Sequence, residues 1–209
     1  MNQALIEYAE KYTTPEGELL KELASETHVK IYHPRMLSGH LHGRFLSAIS
    51  HMIQPSNILE IGTYTGYSAL CLAEGLRTDG LLHTIEINDE LEDFIISYFQ
   101  RSPYKDKIIL HIGDARQIIP TLNKNFDLVY IDGDKREYMD YYNVVFEYVK
   151  RGGFILADNV FWNGKVIDTG QKDEFTESIR KFNEMVANDS RVEKAMLPIR
   201  DGISIIRKL

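Results

Sequence analysis

From Asn57 onward, short apolar runs alternate with amphipathic stretches, and this rhythm predicts the fold. The runs lie at Ile58 to Ile61, Leu81 to Ile87, Lys107 to Ile112, Phe126 to Ile131 and Phe154 to Ala157. They are continuous rather than alternating, the pattern of parallel strands covered on both faces. Between them, Ala69, Leu72, Ala73 and Leu76 fall on one helical stripe, and Leu91, Phe94, Ile95 and Tyr98 on another. Tyr138, Tyr142, Val145 and Val149 form a third stripe, with Gly152 and Gly153 expected to end that helix. Five strand–helix units in series predict an α/β protein with a Rossmann-like, doubly wound, mostly parallel sheet. In the tail, Val192 to Ile199 and Ile203 to Arg207 flank Asp201-Gly202, which reads as a two-residue type I′ turn, so an antiparallel hairpin closes the sheet.

The first 55 residues read as helical. Thr14 followed by Pro15 predicts one helix start, and a further helix is expected over His40 to Ile53, stopping before Pro55. No repeat, low-complexity tract or linker interrupts the chain. Residues 1–209 are therefore expected to form one domain, a helical cap over 1–55 and a Rossmann-like core over 56–209.

Composition narrows the partners. Lys and Arg number 24 against 31 Asp and Glu, a net charge of −7, which disfavours binding to a phosphate backbone without excluding a local basic patch. One cysteine, Cys71, permits no internal disulfide. The opening segment MNQALIEYAEKY has neither the basic start nor the apolar run of a signal peptide, and no 18-residue apolar stretch is present. A cytoplasmic protein without membrane contact is expected.

The candidate chemistry sits where strands end, the usual ligand position in such sheets. The first strand runs into ILEIGTYTGYSALCLA, where Gly62 and Gly66 permit a sharp turn and close ligand approach. Their spacing is G-x-x-x-G rather than the G-x-G-x-x-G of a dinucleotide site, so a nicotinamide oxidoreductase is disfavoured. Glu60, inside an apolar strand, needs a partner, which a sulfonium or amino group would supply in part. Glu86 ends the second strand 26 residues later, where an acid accepts ribose hydroxyls; it reads equally as a cap for a helix starting near Asn88. Asp114, in Gly113-Asp114-Ala115, reads equally as an N-cap. Asp132 ends the fourth strand and Asp158-Asn159 the fifth. Such residues are often turn formers, but together they make a hard donor set suited to Mg²⁺ or Ca²⁺. Zinc is disfavoured with one cysteine. His40 and His42, two apart on a helix, diverge too far to make a rival site.

The segments EIGTYTGYS, IEIN, GDA, DLVYIDGDK, ADN and WNG, in this order and spacing, resemble the cation-dependent O-methyltransferase family, which includes catechol and caffeoyl-CoA O-methyltransferases and bacterial relatives. The resemblance covers Met36 to the C-terminus. It implies S-adenosylmethionine held by Glu60, Gly62, Thr63 and Ser68, with Glu86 on the ribose, Ala115 at the adenine edge, Asp132 and Asp134 as further contacts and Ser38 at the methionine portion. It implies a divalent cation, Mg²⁺ before Ca²⁺ or Mn²⁺, on Asp132, Asp158 and Asn159, with Lys135 as the base and Trp162 and Asn163 bordering the acceptor. His40 and His42 stand where the plant pattern has polar or acidic residues, and Arg44 where relatives often carry Gln. The implied reaction is methyl transfer to a hydroxyl of a small aromatic vicinal diol, by a homodimer. Two other readings fit the same scaffold, a tRNA hydroxyuridine O-methyltransferase and a non-catalytic S-adenosylmethionine binder. The first is disfavoured by the negative charge and the second by the complete set of metal ligands with Lys135.

Overall fold

The computed structural model describes residues 3–209, so the first two residues of the opening segment lie outside the described residues. The five apolar runs are strands β1 (Asn57–Ile61), β2 (Leu81–Glu86), β3 (Ile108–Ile112), β4 (Phe126–Ile131) and β5 (Val149–Asp158). The tail adds β6 (Val192–Leu197) and β7 (Ile203–Lys208). Among the described residues these form a seven-stranded sheet in the order β3-β2-β1-β4-β5-β7-β6. The first five strands pair in parallel, and β7 runs antiparallel to both β5 and β6. The order reverses between β1 and β4, the topological switch point at which a ligand crevice forms.

Helices cover both faces because successive strand residues point to opposite sides. The cap supplies α1 (Gln3–Lys11), α2 (Glu18–Lys30) and α3 (His40–Ile53), and the crossovers supply α4 (Tyr67–Ala73), α5 (Glu92–Arg101), α6 (Ala115–Ile118), α7 (Tyr138–Tyr148) and α8 (Glu174–Asn188). On one face, Leu59, Ile61, Val129 and Ile131 pack with α7 and α8 through Tyr138, Tyr142, Ile179 and Phe182. On the other, Ile58, Leu128, Tyr130 and Leu156 pack with α2 to α5 through Leu23, Leu46, Leu72 and Ile95. Among the described residues no helix is long and apolar enough to cross a membrane.

Three predicted boundaries are corrected. Thr14 does not start a helix: its carbonyl accepts from His40 Nε2 at 2.7 Å, tying this segment to α3, and α2 begins at Glu18 after Gly17. The third amphipathic helix ends at Tyr148 rather than at Gly152-Gly153, because Val149 pairs with Phe126 and is buried between sheet and helices. The register shift between Phe126 and Leu128 takes up the intervening residues, with Gly152 left-handed at φ 80°. The final turn is longer than two residues. Leu197 pairs with Ile203, so residues 198–202 form the loop, and Arg200 and Gly202, not Asp201, have positive φ. The loop is instead pinned to the segment after β5: Phe161 N–H donates to the Asp201 carbonyl at 2.9 Å and Asn163 N–H to Asp201 Oδ1 at 2.6 Å.

Candidate active site

The strand register gathers the acids. Thr84, Glu60, Tyr130 and Leu156 are successive cross-strand partners on β2, β1, β4 and β5. Side chains two residues apart share a face, so Glu86, Asp132 and Asp158 follow on that same face, nearer the strand ends.

Gly62 and Gly66 shape the first turn with φ of 96° and 92°, a region that a Cβ disfavours. Close approach matters as much: a Cβ on Gly62 would lie 2.4 Å from the Asp132 carbonyl oxygen. Beneath the turn, Thr63 and Thr84 share a hydroxyl–hydroxyl bond, and Thr84 donates to Glu60 Oε2 at 2.5 Å. The nearby Ser68 hydroxyl favours the ionised form of the same carboxyl. Glu60 is fully buried, and burial pushes its pKa up to about 8. Its Oε1 has no partner among the described residues. The carboxylate of Glu86 accepts from Tyr64 N–H at 2.7 Å and Asn88 N–H at 2.9 Å, and burial raises its pKa. The cap of the following turn is Asn88, which accepts from Glu90 N–H. Glu86 is thus tied to the glycine turn as well as to the turn after β2.

The remaining residues expected around this crevice differ in character. Ala115 is buried at the start of α6, capped by Asp114, which accepts from Arg116 N–H at 2.9 Å and pairs with its guanidinium. Ser38 is half-buried in the link before α3. Asp134 caps the turn at Lys135–Glu137 and is held by Arg136, which lowers its pKa.

At the tips of β4 and β5 one hydroxyl joins the two key acids. Tyr130 Oη lies 2.9 Å from Asp158 Oδ2 and 3.4 Å from Asp132 Oδ2. His42 Nε2 stands 3.0 Å from that hydroxyl and 3.1 Å from Asp158 Oδ2. Asp158 Oδ1 accepts from Asn159 N–H at 2.9 Å. Burial works against ionisation of Asp158, yet His42, Lys135 and the Asn159 N–H hold its carboxyl below the usual range. Burial holds Asp132 above it, aided by the charge of Asp158 and opposed by Lys135. Of two carboxyls sharing a site, one titrates low and the other high. Tyr130 and Tyr138 are raised well above an ordinary phenol by burial and by the two acids, so both stay protonated donors.

Lys135, the first residue of the turn at Lys135–Glu137, is buried. Its side chain is 8% exposed, and Nζ reaches Asp132 Oδ1 at 2.6 Å and Tyr138 Oη at 2.7 Å. Tyr138 in turn donates to the Asp158 carbonyl at 2.8 Å. Among the described residues no group of three His, Cys, Asp or Glu side chains is arranged to hold a metal ion. Asp132 and Asp158 meet at the Tyr130 hydroxyl, and Asn159 follows Asp158 with its backbone left-handed at φ 56°.

The loop after β5 carries the next residues singled out from the sequence. Asn159, Trp162 and Asn163 all have positive φ, strain of the kind that clusters at functional sites. Trp162 stacks on Phe175 at 5.6 Å, with Arg136 over Phe175 at 5.0 Å. Trp162 Nε1 is buried without a partner among the described residues. The Asn163 side chain faces solvent.

His40 and His42 diverge as expected, but only His40 stays outside the site, bonded to Thr14. Arg44 belongs to the scaffold: it grips Glu74 with two bonds, 2.9 and 2.6 Å, clamping α3 to the end of α4. The residues that sequence reasoning missed are His42, Tyr130 and Tyr138. Tyr130 carried a signal, since it precedes Asp132 by two on one strand and shares its face. His42 carried a weaker one, lying one helical turn before the core residue Leu46.

A sheet of this order, with acids at the tips of its first, second, fourth and fifth strands, defines a class I methyltransferase fold. Residues 10–209 match the model of the O-methyltransferase family. The chain is 33% identical over 207 residues to caffeoyl-CoA O-methyltransferase 1 of Eucalyptus globulus, covering 93% of this chain and 83% of that protein. It is 32% identical over 208 residues to the caffeoyl-CoA O-methyltransferase of Pinus taeda, covering 93% and 79%. Among solved structures it resembles the O-methyltransferase TomG from Streptomyces achromogenes, involved in tomaymycin synthesis and seen with S-adenosylmethionine. The TM-score is 0.91 at 26% identity, over 100% of this chain and 99% of that one. It equally resembles the Bacillus cereus O-methyltransferase in complex with S-adenosylhomocysteine, with a TM-score of 0.91, 26% identity, and 99% and 97% covered. The chain belongs to the O-methyltransferase family.

Proposed function

We propose that this enzyme moves the methyl group of S-adenosylmethionine to one hydroxyl oxygen of a small aromatic vicinal diol, with a divalent cation held by Asp132, Asp158 and Asn159. The observation that carries the reading is the meeting of Asp132 and Asp158 at one hydroxyl beside the buried amine of Lys135. The donor chemistry fits a hard dication, Mg²⁺ first, with Ca²⁺ or Mn²⁺ as alternatives. Asp132 Oδ2, Asp158 Oδ1 and the Asn159 amide keep lone pairs after their bonds within the protein. A cation bound there orients two neighbouring hydroxyls and makes them more acidic.

The protein's own residues would do the rest. Glu60 Oε1, buried and unpartnered among the described residues, suits a cationic group of the methyl donor. Thr63, Ser68 and Gly62 shape the turn around it, Ser38 closes the methionine end, and Glu86 accepts from the ribose. Ala115 borders the adenine, and Asp134 stands at the rim. Lys135 takes the proton of the attacking hydroxyl, its Nζ fixed by Asp132 and Tyr138. Trp162 and Asn163 border the acceptor ring. Aligning oxygen and methyl carbon contributes up to about 7–11 kcal/mol of barrier lowering in ideal cases. The enzyme is read as cytoplasmic and without membrane contact, and the charge of −7 disfavours a nucleic-acid partner without excluding one. It is read as a homodimer, and the exposed Leu5 and Tyr8 on α1, with Tyr12 just after it, suit self-association.

Incubating the protein with methyl-labelled S-adenosylmethionine and a panel of catechols, monophenols and unmodified tRNA tests this. Label is expected on catechols such as 3,4-dihydroxybenzoate. Transfer to tRNA alone would replace the small-molecule acceptor with an RNA, and transfer to monophenols as fast as to catechols would remove the need for a vicinal diol.

A further inference from the structure

Asp158 has two oxygens, and the fold treats them differently. Oδ2 stands in a triangle with Tyr130 Oη and His42 Nε2 whose sides are 2.9, 3.0 and 3.1 Å. The Tyr130 hydroxyl has one proton, and the shorter contact directs it to Asp158 at 2.9 Å rather than to Asp132 at 3.4 Å. His42 Nε2 bonds the Tyr130 hydroxyl at 3.0 Å and pairs with Oδ2 at 3.1 Å, so phenol and imidazole together hold that oxygen. Among the described residues, Oδ1 receives only the N–H of Asn159. On Asp132 the division is mirrored: Oδ1 takes the Lys135 amine, and among the described residues Oδ2 has only the long contact to Tyr130.

His42 is not packed there for its apolar character. Its side chain is fully buried, its Nδ1 lacks a partner among the described residues, and its polar contacts run through Nε2 to Tyr130 and Asp158. Burying an imidazole with one nitrogen unsatisfied costs free energy, which the contacts at the other nitrogen must offset. Helix α3 supplies His42, and β4 supplies Tyr130, so the triangle also fixes the helical cap against the strand tips.

We propose that His42 and Tyr130 are positioning residues that commit Asp158 Oδ2 to the protein and thereby present Asp158 Oδ1, Asp132 Oδ2 and the Asn159 amide to a divalent cation. The inference rests on the cation reading given above. Partners one shell out from a metal commonly change its affinity by 10–100-fold, because a ligand free to rotate must be ordered on binding.

Mn²⁺ alone, titrated into the purified full-length protein and followed by the paramagnetic resonance signal of the free ion, tests it. S-adenosylhomocysteine affinity is measured beside it as a check on folding and on the neighbouring crevice. His42→Ala and Tyr130→Phe are each expected to weaken Mn²⁺ binding by roughly 10–100-fold while S-adenosylhomocysteine binds as before. His42→Gln, whose amide N–H can still reach Asp158, is expected to recover most of the loss. Variants that bind Mn²⁺ as the wild type does would overturn the positioning role and leave the cation reading standing. A wild-type protein that binds no Mn²⁺ would overturn both. Tyr130→Phe keeps the ring volume, so it decides the matter should His42→Ala fail to fold.

Discussion

Lys135→Met is expected to lower turnover by about 10²–10⁴-fold, the range for loss of a positioned general base, with the affinity for S-adenosylhomocysteine unchanged. The amine lies within hydrogen-bond reach of Asp132 and Tyr138 and is shielded from water, so no solvent group replaces it easily. Removing one partner of a buried ion pair also costs stability, here about 3 kcal/mol, the low end because Asp132 is 20% exposed. The two effects separate in the assay. A folding defect scales down the active fraction and leaves KM alone, whereas loss of the base lowers kcat of fully folded enzyme. Lys135→Arg keeps the charge beside Asp132 but not an amine that gives up its proton, so it should recover melting temperature without recovering turnover. Turnover near wild type in the Met variant would remove Lys135 from the reaction.

Gly62→Ala is expected to be nearly as damaging by a different route. A side chain at a left-handed position costs about 1–2 kcal/mol, and the new Cβ would overlap the Asp132 carbonyl, 2.4 Å away. Overpacking of this kind costs about 1–3 kcal/mol more. The strand tips must part to relieve it, and the tip that moves carries Asp132. Thermal denaturation should therefore show a midpoint lower by roughly 5–15 °C for a chain of this size, and the surviving folded enzyme should have lost activity as well. A melting temperature equal to wild type would mean that β1 and β4 do not approach as closely at their ends as described.

The sheet was legible because its signal is redundant. Five continuous apolar runs each had to be buried on both faces, and their spacing allowed only crossover connections. What was misread was local. Thr14-Pro15 has the right residues for a helix start, but its carbonyl is tied to His40, a contact between residues 26 apart, and the helix starts later, at Glu18. Asp201-Gly202 has the right pair for a tight turn, but Asp201 is held by Phe161 and Asn163 from another loop. Tertiary bonds outweigh dipeptide preference in both cases. The acids of the site were legible through their place at strand ends. The groups between them were not. Tyr130 reads as one more apolar residue of a buried strand, and His42 as a helix residue far from Asp158 in the chain. Only the register of β1, β4 and β5 reveals that a phenol and an imidazole sit between two carboxylates.

Initial rates of methylation of 3,4-dihydroxybenzoate, measured with excess EDTA and again after adding Mg²⁺ back, test the central claim most directly. The rate should fall to background with the chelator and return with the ion, while the protein's melting temperature with S-adenosylhomocysteine stays the same throughout. A rate that persists in EDTA would mean that Asp132, Asp158 and Asn159 serve the reaction without a bound cation.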